Sequence, residues 1–175
     1  MTTPFDAALE QFKLGESEEL VRLEGIDEFC KAQRLLIGQA KREVFIMTPD
    51  LEPERYNEPE FASALSAFVR RSRFTDVRIL VADPSIAIRW GHHVVKLGRR
   101  LTSNLKIRQL SGEDARRPEA WMVVDDIAML RREGNDGFIG VLNPRSIPHA
   151  QRARRDFIEM WERSEEIPDF RQLHL

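Results

Sequence analysis

Four side chains able to hold a negatively charged group recur at helical spacing in the middle of the chain: Arg89, His93, Lys96 and Arg100, separated by four, three and four residues. At 3.6 residues per turn this spacing puts all four on one stripe. His92 and Arg99 flank it, and Ile88, Gly91, Val94, Val95, Gly98 and Leu101 form the opposite face. The chemistry common to guanidinium, ammonium and imidazole groups is the binding of phosphate or carboxylate. A solvated face of an amphipathic helix has the same pattern, and on spacing alone the two readings stand about even. The scarcity of acids favours binding. Between Arg70 and Arg117 twelve Lys or Arg stand against four Asp or Glu, a local charge of +8, while the remainder carries −10. The total of −2 conceals a segregated potential that suits a phosphate-bearing ligand, nucleic acid or an acidic protein face.

Other chemical arrangements find little support. His92, His93, His149 and His174 have no metal-ligand spacing to Cys or carboxylate, and adjacent His92 and His93 diverge on a helix. There is no G-x-S-x-G elbow and no Walker-type loop, so neither a metal nor a cofactor is expected. Gly91 and Gly98 fall within a helical pattern rather than between a strand and a helix, where a phosphate loop would need them; close packing against a strand is their simplest role. The single Cys30 falls on the apolar side of a helix and reads as a small buried residue. Trp90 and Tyr56 are candidates for stacking on a base or a partner side chain, although core packing is the commoner fate of such rings.

Two short apolar runs meet at Asp125-Asp126 in the stretch Pro118 to Arg132, PEAWMVVDDIAMLRR. A hairpin turn favours Asp for backbone reasons, which is the preferred reading over a carboxylate pair with chemistry of its own. This stretch resembles the strand pair that carries the H-x-K-x4-D motif of the phospholipase D superfamily. With the motif's Asp set on Asp125, its His slot is Pro118 and its Lys slot is Ala120. Proline has no group to attack phosphorus and alanine no charge to hold a phosphate, so no phosphodiesterase activity is expected. The run from Ile26 through AKREVFIMTPDL resembles the superfamily's opening helix and strand, and FIEMWERS, Phe157 to Ser164, its closing helix. The resemblance implies one phospholipase D-like half. Members with one motif build their site by homodimerising, which makes a homodimer the implied assembly.

The positioning elements follow from periodicity. A helix is predicted on Ile26, Phe29, Cys30, Leu36, Ile37 and Ala40, then a buried strand Val44 to Met47 and a Pro- and Glu-rich loop to Pro59. A second helix on Phe61, Leu65, Phe68 and Val69 leads to a strand Val77 to Ala82. A third helix spans about Ile86 to Thr102 and leads to a strand Leu105 to Leu110. The hairpin, a short strand Phe138 to Leu142 and a last helix on Ala150, Phe157, Met160 and Trp161 complete the order. The fold class is α/β, a phospholipase D-like layered domain with a mixed, mostly parallel sheet flanked by helices. Residues 1–24 read as an N-terminal arm and 25–175 as the domain.

With 175 residues, 42% hydrophobic and 32% charged, the chain suits one soluble domain. No run is long enough for a membrane span and the start lacks a signal-peptide pattern, so a cytoplasmic, bacterial-type protein is the expectation. The function expected is a catalytically inactive binding or interaction module that recognises a phosphate-bearing ligand or nucleic acid through the basic helix. A structural or regulatory homodimer that docks a protein partner is the alternative, and an enzyme with an unrecognised site comes third. The sequence pI near 6.1 falls short of that of a dedicated nucleic-acid binder.

Overall fold

The computed structural model describes residues 2–134 and 137–171. In chain order these form α1 (Pro4–Glu10), β1 (Val21–Glu24), α2 (Ile26–Gln39), β2 (Glu43–Thr48), α3 (Pro53–Tyr56), α4 (Pro59–Arg70), β3 (Asp76–Val81), α5 (Ser85–Trp90), α6 (His93–Arg100), β4 (Leu105–Gln109), β5 (Trp121–Val124), β6 (Ala128–Glu133), β7 (Ile139–Asn143), α7 (Ile147–Arg163), β8 (Glu165–Glu166) and α8 (Pro168–Arg171), with a 3-10 turn at Gly112–Arg116. Among the described residues no helix is long and apolar enough to cross a membrane.

The strands make one sheet in the order β1-β7-β6-β5-β2-β3-β4-β8. Strands β2, β3 and β4 are parallel neighbours, each entered from a helix, while the flanking pairings are antiparallel. Alternation along β2 divides the core in two. Val44 and Ile46 face a large apolar layer with α2, α4 and α6, and Phe45 and Met47 face a smaller one under α7. In the smaller layer Phe157 stacks on Phe45 at 4.8 Å between ring centroids and lies 5.9 Å from both Trp121 and Trp161.

The turn between β5 and β6 falls at the Asp125-Asp126 hairpin read from the sequence, with Ile127 as the third connecting residue, its N–H donating to the Val124 carbonyl at 3.1 Å. Asp125 and Asp126 both take left-handed backbone, at φ 54° and 61°, which Asp tolerates better than most residues. The buried Asp125 carboxylate also leaves the hairpin: it accepts hydrogen bonds from the backbone N–H groups of Lys41, Arg42 and Glu43 at 2.7, 2.7 and 2.9 Å.

Three expectations need correction. Within the segment taken as an arm, α1 starts at a capping box between Thr3 and Asp6, β1 pairs with β7, and Phe5, Phe12, Val21 and Leu23 are buried in the main core. These residues belong to the folded unit. The sheet is mixed, but its parallel part is confined to β2-β3-β4, and two of the antiparallel pairings come from β1 and β8, which were not anticipated as strands.

The third correction concerns the long basic helix, which is two helices. Gly91, at φ 79°, ends α5 in a conformation open to glycine, and His92 then takes extended backbone to cap α6. Its Nδ1 accepts from Val94 N–H at 3.1 Å, so the proton lies on Nε2, which is 3.1 Å from the carbonyl oxygen of Leu51. Gly91 is exposed with open space around it. Gly98 does pack on a strand, since a Cβ there would lie 2.9 Å from Leu105 Cδ2. Ile88 and Trp90, 41% and 78% exposed, lie outside the core, whereas Tyr56 is buried against Phe61.

Two measurements check this architecture. Phe157→Ala removes the ring common to three aromatic contacts and is expected to cost about 3–5 kcal/mol in denaturant unfolding; an unchanged midpoint would mean that α7 is not docked on Phe45. His92 is held neutral by burial, which lowers its pKa from 6.5 to about 4. A base whose folded pKa lies below its unfolded value takes up a proton on unfolding. The folded state is therefore unpenalised above pH 6.5 and loses up to about 3 kcal/mol as the pH falls towards 4. His92→Asn retains a capping side chain without this titration, so the stability gap between the wild type and the variant should narrow across that window. Parallel curves would refute a neutral buried His92.

Candidate functional site

Two places in this fold bring functional side chains together. The first is the end of the sheet where the phospholipase D-like motif would place its chemistry. Arg132 N–H donates to the Ala120 carbonyl at 3.0 Å, and continuing the β2–β5 register by one residue sets Thr48 on the other side of Ala120. By alternation Thr48, Ala120 and Arg132 project to the same face, in one row across three strands. Pro118 is exposed just before this row, and Ala120 is buried within it. Neither offers an atom that can take a proton or hold a charge.

Glu52 occupies the space beside Ala120. Its carboxylate accepts from Thr48 Oγ1 at 3.1 Å and from Arg132 Nη1 at 3.0 Å, and Arg55 Nη1 lies 3.3 Å from both of its oxygens. Arg55 is 1% exposed, lies over the rings of Phe29 and Tyr56 at 4.6 Å, and exchanges hydrogen bonds with Gln33 of α2. The Glu52 carboxylate is satisfied by two guanidiniums and a hydroxyl, while Arg55 Nη2 is left buried without a hydrogen bond, and removing Glu52 would strand the cations. Sequence reading missed this network because Leu51 to Pro59 looks like a solvated loop. Glu52 and Arg55 at i, i+3 were its one visible sign.

The second place is the basic stripe, which the structure divides. Arg89 lies exposed on α5, beyond the break. His92 is buried and engaged with backbone, so it is unavailable to an anion. Arg99 Nε and Nη2 donate to the carbonyls of Phe170 and Asp169 at 2.7 and 2.8 Å, which fastens α8 to α6. His93, Lys96 and Arg100 remain together, facing Ser63, Ser66 and Arg70 of α4 across a groove of about 750 Å³. Ala62 and Ala67 help to line it, and these small side chains leave the space between the helices open.

Arg70 was not picked out with the stripe, because it lies 19 residues before Arg89. Its place at i, i+4 and i, i+7 from Ser66 and Ser63 is the signal that joins it to this face. Its Nε donates to Ser66 Oγ at 3.0 Å. Among the described residues none of His93, Lys96, Arg100 and Arg70 forms a salt bridge with a carboxylate. The groove therefore presents positive charge with hydroxyl donors between, a composition suited to phosphate oxygens.

The other candidates are placed elsewhere. Cys30 is buried with Sγ 3.7 Å from the Glu54 carbonyl, and burial pushes its thiol pKa up, away from reactivity. His149 sits at the start of α7 with Nδ1 3.0 Å from Ser146 Oγ, and His174 lies outside the described residues. Among the described residues no three His, Cys, Asp or Glu side chains converge as metal ligands.

The fold is that of phospholipase D-like proteins. NucT from Helicobacter pylori superposes with a TM-score of 0.66 at 15% identity, covering 86% of this chain and 99% of NucT. Nuc from Salmonella typhimurium, a phospholipase D family member, superposes at 0.59 and 16% identity over 85% of this chain and 99% of Nuc. TrmBL2, an archaeal chromatin protein with a novel mode of DNA binding, superposes at 0.67 and 13% identity; the match covers 92% of this chain but only 58% of TrmBL2. No curated protein sequence matches the chain. Residues 25–173 match the family described as Domain of unknown function (DUF7931), and with its sheet, closing helix and hairpin on the phospholipase D-like plan the chain belongs to that family.

Proposed function

We propose that the chain is a non-hydrolytic phospholipase D-like module that binds a phosphate-bearing ligand in the groove between α4 and α6. The observation that carries this reading is the convergence of Arg70, His93, Lys96 and Arg100 on one open groove without a carboxylate partner among the described residues. The like-fold TrmBL2 binds DNA, which supports nucleic acid as the ligand class to test first. Loss of hydrolysis is supported by Pro118 and Ala120 in the motif's His and Lys slots, and by Glu52 and Arg132 beside the Lys slot. A homodimer is the second reading. It is favoured by β7 and β1, where Ile139 stands 45% exposed beside Arg22 and Glu24 on the face opposite the main core.

The groove is tested by titrating a fluorescent thymidine oligonucleotide of about three nucleotides at two salt concentrations. Replacing Lys96 and Arg100 together with Ala should weaken binding at least roughly tenfold, because charged hydrogen bonds to phosphate are lost, with little change in the melting temperature. Undiminished affinity in the double variant, or its failure to fold, would end the groove reading.

The same preparation should show no turnover of bis-p-nitrophenyl phosphate. Activity that copurified with the chain and disappeared on replacing His93 or His149 would show a hydrolytic site after all.

A further inference from the structure

Each of the three parallel strands is entered through a short loop from a helix, and each of these entries carries adjacent cations. Lys41 and Arg42 precede β2, Arg70, Arg71 and Arg73 precede β3, and Arg99 and Arg100 precede β4. Because β2, β3 and β4 are neighbours in the sheet, the three entries stand side by side, spanning about 10 Å at the usual strand spacing. They lie at the end of the sheet opposite Thr48 and Ala120.

Hydrogen bonds join the three loops into one platform. Asp76 N–H donates to the Arg42 carbonyl at 3.0 Å and Val77 N–H to Asn104 at 2.7 Å. Arg71 donates to the carbonyls of Ala40 and Gly38 at 2.8 and 3.0 Å, and Asn104 Nδ2 to that of Thr75 at 2.7 Å. Carbonyl acceptors leave the charge of Arg71 in place.

The acids at this end are engaged within the fold. Glu43 pairs with Arg154, Asp76 with Arg78, and Asp125 with the three backbone amides of 41–43. Asp126 is the remaining carboxylate beside them. Among the described residues Lys41, Arg42, Arg70, Arg71, Arg73 and Arg100 have no carboxylate partner.

A helix C-terminus favours cations through its dipole, which accounts for charges at such positions. It does not account for Phe74. That ring is 77% exposed in the middle loop, with the Arg73 guanidinium 4.8 Å from its centre.

We propose that this platform binds single-stranded nucleic acid: a strand lying in the α4–α6 groove continues over the three loops, its phosphates on the loop cations and a base stacked on Phe74. Arg70 and Arg100 line the groove and also end the helices that lead into the platform, so the two surfaces are continuous. The inference rests on the groove reading and adds the polymeric ligand and its path. An exposed aromatic among cations is the arrangement by which proteins hold unpaired bases without sequence preference. A single strand is favoured over a duplex because stacking requires a free base face.

The experiment compares thymidine oligonucleotides of about three and about twelve nucleotides. The longer one should bind roughly tenfold or more tightly, through the added stacking and phosphate contacts. Phe74→Ala, and separately Lys41→Ala with Arg42→Ala, should bring the longer oligonucleotide towards the affinity of the shorter and leave the shorter unchanged. The lysine–arginine pair variant should also lower the salt slope by about 1.4, at roughly 0.7 per cation. All these side chains are exposed, and the amides that hold Asp125 remain, so unaltered thermal melts are the folding control.

Equal affinity for the two lengths would overturn the platform and leave the groove reading intact. Loss of binding in the platform variants together with full affinity in a Lys96→Ala variant would remove the groove and overturn the continuous path proposed here. Phe74-dependent association with phosphatidylserine vesicles, without oligonucleotide binding, would overturn the nucleic-acid assignment in favour of a membrane surface.

Discussion

The Asp125 carboxylate and the three amides of Lys41, Arg42 and Glu43 form the joint on which this sheet depends. On one side is the antiparallel hairpin of β5 and β6, and on the other the crossover from α2 into the first parallel strand. Short charge-assisted bonds to consecutive amides fix the chain direction at the start of β2, so β2 can pair with β5 on one edge and β3 on the other. The amides also hold the carboxylate's negative charge within the fold at the end where exposed cations gather. Register and electrostatics at this end of the molecule therefore have a common origin.

This joint gives a physical reason for the form of the motif stretch. Asp125, the residue at the hairpin, holds the backbone together through these amides. At the opposite end of the sheet the chain has Pro118, Ala120 and a buried carboxylate shared by Thr48, Arg55 and Arg132. A residue that supports the sheet can be retained independently of residues that meet a ligand.

Much of the layered fold was readable in the sequence because its signals are local. Val44 to Met47 is an uninterrupted apolar run, and Phe157, Met160 and Trp161 recur at helical spacing, and both were found where expected. The Gly91 break was hidden because the cationic spacing runs unbroken through it, and because glycine in a helical pattern also suits close packing, as at Gly98. β1 is four residues inside an acidic segment, too short for alternation to stand out, and its pairing with β7 spans more than a hundred residues. Half of the site was readable in the same way. His93, Lys96 and Arg100 lie on α6 as their spacing demands, but Arg70 enters only through the packing of α4 beside α6, and His92 and Arg99 are drawn off by long-range backbone partners.

The Glu52 network limits which side chains positions 118 and 120 can accept. A lysine introduced at position 120 would share a row with Arg132 and Thr48, and Glu52 would have three cations to satisfy in place of two. A histidine at position 118 would arrive next to that crowded charge. Introducing these two side chains alone would thus meet a neighbourhood already built around Glu52, and a cation at position 120 would be coupled to Glu52, Arg55 and Arg132 together.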